Sequence, residues 1–188
     1  MGVKIRRALA LLLALCVLFC VPAMAAKTPS KATVKKAYQT YIAKNLSGKK
    51  YEGAEVGYYD INKDGIEEMI FEYAAGVRCA FKIYTYSNKK VKKLHSGAFE
   101  GCGGAPKRIK GKKYIVLSGS NGWGDDWTTV YKIANNKLKK VETYRVLAKQ
   151  NAASGKITVR YYKNGTKCKK KVYTDFEKTL VTIPMHSI

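Results

Sequence analysis

Oxygen-bearing side chains alternate through "DINKDGIEE", residues 60–68. Asp60, Asn62 and Asp64 take the first, third and fifth places of a loop, Gly65 the sixth and Glu68 the ninth. Such spacing serves the coordination of a hard cation. Calcium takes about six to eight oxygens at roughly 2.3–2.6 Å, and donors on alternate residues of a tight loop surround one point. Gly65 permits the sharp turn. Ile66, in the seventh place, offers its backbone carbonyl and keeps its side chain for the core. The expected calcium ligands are therefore Asp60, Asn62, Asp64, Ile66 (carbonyl) and Glu68. The alternative is a polar turn without metal, since Asx residues and glycine are common in turns. A helix–loop–helix calcium site wants Glu in the twelfth place, and Phe71 stands there. The "EEMIFEY" that follows reads as a strand, so the ion is expected to brace a strand–loop–strand and play a structural part.

The second chemically suggestive stretch is "SGSNGWGDDWTTV", residues 118–130. Trp123 and Trp127 can stack on a sugar face while Asp125 and Asp126 accept hydrogen bonds from hydroxyls. The same stretch also reads as a long loop with Trp127 in the core and Asp125 capping a turn. A hydrolase built on Asp125, Asp126 and Glu100 is a further alternative. Neighbours along a strand point to opposite faces, so Asp125 and Asp126 are not expected to form a facing carboxylate pair. No Gly-x-Ser-x-Gly, HExxH or P-loop pattern occurs. His95 and His186 are the only histidines. His95 falls in an expected strand, and nothing places it as a base beside the Cys102 thiol. Catalysis is therefore not the first reading.

Lys4, Arg6 and Arg7, then the apolar run Ala8 to Val21, Pro22 and Ala23-Met24-Ala25, follow the pattern of an export signal cut after Ala25. The run is shorter than the roughly 20 residues that a bilayer span needs. Leu15 and Phe19 precede Cys16 and Cys20, where lipidation wants a small residue. The reading is a signal peptide over 1–25 and a single secreted β-rich domain over 26–188, with no transmembrane segment. Loss of Lys4, Arg6 and Arg7 lowers the formal charge from +23 to +20. Such a field favours polyanions such as anionic wall polymers; the alternative is lysine solvating turns and protecting strand edges. The basic–aromatic interleaving that stacking on nucleic-acid bases needs is missing. Cys79, Cys102 and Cys168 remain in the mature chain. An odd count in an oxidising compartment suggests one disulfide and one thiol. Folding the Cys79 strand back at Asn88-Lys89 sets Cys79 opposite Ala98 or Phe99, just short of Cys102. Cys79–Cys102 is the preferred pair.

These groups need elements to position them. Val34, Ala37, Tyr38, Tyr41 and Ile42 mark one face of a helix over 31–46, with Ser30 or Thr33 as its cap. From Glu55 the period becomes two, with strands expected at 54–59, 68–74, 78–86, 91–98, 113–118, 127–134 and 138–147. Cys79, Phe81, Ile83 and Thr85 face one way, and Ala80, Lys82, Tyr84 and Tyr86 the other. Trp127, Thr129, Tyr131 and Ile133 likewise alternate with Thr128, Val130 and Lys132. Asn164-Gly165 is a type I′ hairpin turn. A closing helix is expected at 174–181, laying Phe176 and Leu180 on the sheet. "FKIYTYSNKKVKKL" and "TVYKIANNKLKKVETY" echo each other as strand, Asn-Lys turn and strand. The fold class is mainly β (α+β): an open, twisted antiparallel meander, blade-like, with a helix at either end.

"YYDINKDGIEEMI" resembles the strand–loop–strand calcium repeats of FG-GAP and VCBS-like propellers. Over most of the mature chain, the order of helix, loop, hairpin and strand–Asn-Gly–strand–helix resembles a group of secreted proteins from Gram-positive gut bacteria. That resemblance implies the same five calcium ligands, an outward Glu67, and export from a Gram-positive cell. It implies no activity. The function expected is a non-catalytic, calcium-binding surface or wall protein that recognises an anionic wall polymer or a glycan.

Overall fold

The computed structural model describes residues 28–76, 78–100 and 104–188, with Phe99 and Glu100 described by backbone alone. The expected signal peptide lies outside these residues. Helix α1 covers Lys31–Asn45, followed by one 3-10 turn at Lys49–Tyr51. Strands β1 (Glu55–Tyr59), β2 (Glu68–Ala75), β3 (Arg78–Ser87) and β4 (Lys90–Glu100) form a first meander. Strands β5 (Lys107–Ile109), β6 (Ile115–Ser120), β7 (Asp125–Ala134), β8 (Lys137–Gln150), β9 (Ile157–Lys163) and β10 (Thr166–Cys168) form a second. Helix α2 (Lys170–Glu177), β11 (Leu180–Thr182) and β12 (Met185–Ser187) end the chain.

The protein is mainly β, as its periodicity required. Its strands divide between two antiparallel sheets: β12-β1-β2-β3-β4 and β10-β9-β8-β7-β6-β5-β11. Each sheet is thus a meander completed at its first strand by one short strand from the C-terminal segment. Alternation explains the layers. Ile70, Phe81 and Ile83 of the first sheet meet Ile115, Leu117, Tyr131 and Ile133 of the second in one core that also takes Ile61 and Ile183. The other face of the first sheet (Met69, Phe71, Tyr84, Tyr86) is covered by Val34 and Tyr38 of α1. The other face of the second (Val116, Val130, Tyr144) is covered by Phe176 of α2. The Ser30 hydroxyl caps α1 by accepting from the Thr33 amide at 3.2 Å.

The internal echo is a structural one. Hairpins β3–β4 and β7–β8 both turn on paired positive φ angles, at Asn88 and Lys89 (52° and 59°) and at Asn135 and Asn136 (53° and 55°). Both carry a bulge at the same distance from the turn, after Ile83 in one and after Val130 in the other. Asn164 and Gly165 also adopt positive φ, as a type I′ turn demands.

One expected element moves. The closing helix lies at Lys170–Glu177, not 174–181. Phe176 is buried beneath it as expected, but Leu180 belongs to β11, opposite Ile109. Tyr173 and Phe176, three apart, already supply the helix with an apolar face against the sheet. Thr179 onward is then free to pair with the open edge of β5.

His95, opposite Ile83 on β4, stacks on Phe81 at 5.6 Å and lies 5.7 Å from Tyr131 of the second sheet. Burial lowers its pKa, which favours the neutral ring at this interface. Gly97 makes room for this packing, since a Cβ there would sit 2.7 Å from the Phe81 ring. Gly97→Ala is expected to cost about 1–3 kcal/mol through overpacking. Denaturant unfolding checks this, and an unchanged midpoint refutes it.

Candidate functional site

Loop 60–68 joins β1 to β2 and is organised by its own side chains. Asp60 accepts from the amides of Asp64 (3.2 Å) and Gly65 (3.0 Å). Asn62 Oδ1 accepts from the Asp64 amide at 3.2 Å. Asp64 Oδ1 accepts from the Ile66 amide at 2.9 Å, and its Oδ2 accepts from Asn62 Nδ2 at 2.8 Å. Positive φ at Lys63 and Gly65 (61° and 89°) makes this curvature. Two apolar pins fix the loop from below. Ile61 is fully buried between the sheets, and Ile66 packs under α1. The Tyr38 hydroxyl of α1 donates to the Glu67 carbonyl at 2.9 Å. Glu67 itself faces outward far enough to pair with Lys31 at 3.6 Å.

Glu68 is fully buried beneath the loop. Its Oε2 accepts from the Ile61 amide and its Oε1 from the Thr85 hydroxyl, both at 3.0 Å. Burial pushes its pKa up to about 7, against the pull of those two donors and with a smaller push from Asp64 and Asp60. A desolvated carboxylate at the floor of an oxygen-lined loop is chemistry that a hard cation stabilises. All the donors are oxygen, which suits calcium. Among the described residues, no group of three His, Cys, Asp or Glu side chains forms a ready-made metal cluster. Asn62 and the Ile66 carbonyl, two of the five expected donors, are not of those residue types.

The tryptophan stretch divides between three places. Trp123 stands at the β6–β7 turn, 88% exposed. Asn121 holds that turn, accepting from the amides of Trp123 (2.9 Å) and Asp125 (3.2 Å). Asp125 and Asp126 open β7 and so point to opposite faces. Asp125 is clamped by Arg145, with Nε and Nη2 each 2.6 Å from a carboxylate oxygen. That guanidinium holds the Asp125 carboxyl below the usual range. Asp126 turns to the face that α2 covers, near enough to raise the Tyr173 pKa slightly. The side chain of Glu100 lies outside the description.

Trp127 lines a hollow of about 360 Å³ with Thr129, Thr143, Tyr144, Arg145, Tyr162 and Gly165. Trp127 and Thr129 share the face of β7 that carries Tyr131 and Ile133 into the core between the sheets. Arg145 is opposite both Trp127 and Tyr162 in register. Neither Arg145 nor Tyr162 carried a local signal, because the pairing that joins them to Trp127 is long-range. The arrangement can stack a flat ligand and hydrogen-bond its polar edge. It does not place two carboxylates across a common point.

Cys79 is buried on β3, opposite Phe99 as the register predicted. Cys102 lies outside the described residues. Cys168 is the free cysteine among those described. Among the described residues no helix is long and apolar enough to cross a membrane. Comparison with family models, curated proteins and solved structures finds no match to this chain.

Proposed function

We propose that the chain is a secreted, non-catalytic binding protein, braced by calcium, that recognises an anionic wall polymer or a glycan at the surface of a Gram-positive cell. The observation that carries the binding reading is the hollow around Trp127. An indole, a phenol, two threonine hydroxyls and a guanidinium share one open concavity; Asp125 is held by that guanidinium, and Asp126 turns to the opposite face. Aromatic faces and placed polar groups, here including the Arg145–Asp125 pair, are what a sugar ring needs. The calcium reading rests on loop 60–68 and the buried Glu68 beneath it. Asp60, Asn62, Asp64, the Ile66 carbonyl and Glu68 would hold the ion, which would supply positive charge to a loop otherwise rich in carboxylate. Disulfide pairing of Cys79 with Cys102 belongs to the same secreted reading.

The test is co-sedimentation of the mature protein with purified Gram-positive wall, in calcium and in EDTA. Pelleting that salt reverses is expected. Trp127→Ala and Arg145→Ala should each weaken it about tenfold, as loss of a central aromatic or charged contact does. Protein that stays in the supernatant in both buffers would end the wall reading, and soluble glycans would be the next ligands to try.

A further inference from the structure

The two meanders share matched hairpins, β3–β4 and β7–β8, and each opens with a loop between its first two strands. In the first meander, Tyr59 pairs with Glu68 across loop 60–67. In the second, Arg108 pairs with Ile115 across loop 109–114. Where the first loop carries Asp60, Asn62, Asp64 and Glu67, the second reads Ile109, Lys110, Gly111, Lys112, Lys113 and Tyr114. Gly111 alone of these six adopts positive φ, at 72°. The second loop therefore keeps a turn but exchanges carboxylates for amines.

The loops are neighbours in space. The Tyr59 hydroxyl donates to the Lys112 carbonyl at 3.3 Å. The same Tyr59 ring lies under Arg108 on one side of the boundary and Lys63 on the other, at 5.8 and 4.8 Å. Between the loops opens a cleft of about 490 Å³, lined by Asn62 of the first loop, Gly111 to Tyr114 of the second, and Lys132 and Ile133 of β7. Lys112, Lys113 and Lys132 are exposed. None of the three is ion-paired with a described carboxylate.

We infer that this cleft is an anion site for a phosphodiester-linked polyol, a second binding site separate from the hollow around Trp127, and that calcium in loop 60–68 strengthens it. Three exposed lysines lining one concavity, none ion-paired with a described carboxylate, focus a positive field. Lysine binds phosphate as a point charge without demanding one orientation, which suits a flexible repeating chain. Tyr114 is the single aromatic that lines the cleft, half-buried, whereas Trp127, Tyr144 and Tyr162 line the hollow. One wall of the cleft is Asn62 of the first loop, which stands between Asp60 and Asp64. Bare, those carboxylates repel an anion; a bound dication cancels most of their charge. The inference rests on the proposed function only for calcium and for the class of polymer.

The experiment measures binding of a synthetic polyglycerol phosphate by the mature protein, with and without calcium, across a salt series. Wild type should bind in calcium and lose affinity steeply with salt. Lys112→Glu/Lys113→Glu should weaken binding at least tenfold, whereas Lys149→Glu/Lys156→Glu, the same change of charge at exposed sites on and beyond β8, should alter it less than twofold. Asp64→Asn should remove the calcium enhancement and leave the calcium-free affinity equal or higher. Trp127→Ala should leave polyol-phosphate binding intact, so the hollow and the cleft can fail separately. Equal weakening by the two lysine pairs would mean diffuse charge and overturn the proposal. Tighter binding of oligothymidylate or of phosphatidylglycerol vesicles than of the polyol phosphate would overturn it too. Exposed lysines tolerate such changes, and a far-UV spectrum and melting midpoint confirm that each variant is folded.

Discussion

Calcium is expected to raise the unfolding free energy by about 4 kcal/mol when present at a thousandfold excess over its dissociation constant, and Glu68→Gln to remove most of that gain. Glu68 is the one expected ligand fully withdrawn from water. Without the ion its charge is opposed by burial and by Asp64 and Asp60, with only the Ile61 amide and the Thr85 hydroxyl in its favour. Its folded pKa of about 7 lies above the ordinary value for the unfolded chain. The folded state therefore binds the extra proton. In calcium-free protein, the stability owed to that proton is full at about pH 4 and is lost as pH rises through about 7, a swing of about 3 kcal/mol. Calcium reverses the trend, because it needs the ionised form and must displace the proton below about pH 7. Glu68→Gln should thus destabilise the protein in calcium but leave it as stable as wild type, or more so, in EDTA at pH 8. Thermal melts in calcium and in EDTA at pH 5 and pH 8 measure all four cases. Identical melts in calcium and EDTA would remove calcium from the account.

Glu68 also shows where the sequence could be read and where it could not. Its place in an oxygen-rich loop was legible, because alternation of Asp60, Asn62 and Asp64 before Gly65 is a local pattern. Its burial was not, since that depends on how Ile61 of the same loop folds back on it and on Thr85, which β3 brings from a distance. The strands tell the same story. Phe81 and Ile83 against Tyr84 and Tyr86 alternate visibly, and both faces are apolar because each meets a separate core. That a second sheet covers one of them was not visible. The second sheet is entered through a strand, β5, of only three residues, too short for periodicity to register. Arg145 and Tyr162 reach Trp127 only through the β7–β8–β9 register, and a single residue's slip would send them to the other face. The closing helix was misplaced for a related reason. Leu180 fits a helical face or a strand equally well, and the unpaired edge of β5 decides between them.

Truncation after Lys178 should have the largest effect of any change considered, loss of the cooperative folding transition in a protein that still makes both meanders. The last residues do two jobs at once. Leu180–Thr182 pairs with β5, and Met185–Ser187 pairs with β1, so one segment closes an edge of each sheet. Between them Ile183 lies 1% exposed in the core that the sheets share, with its amide donating to the Pro106 carbonyl at 2.8 Å. The fit against β1 is close: a Cβ on Gly57 would lie 2.5 Å from the Met185 sulfur and 2.8 Å from the Pro184 carbonyl oxygen. Removing the segment leaves two unpaired edges, which are templates for association, as well as a void between the sheets. The truncated chain should therefore associate in size-exclusion chromatography and lose its sharp melt. Two point variants grade the effect. Ile183→Ala keeps both strands and empties the core position, at a cost of about 2–4 kcal/mol. Gly57→Val keeps the core residue and drives β12 off its edge, so it should favour association more than its loss of stability alone implies. A truncated chain that stays monomeric and unfolds at the wild-type midpoint would show that each meander folds without the strand that completes it, and that the C-terminus decorates the sheets rather than joining them.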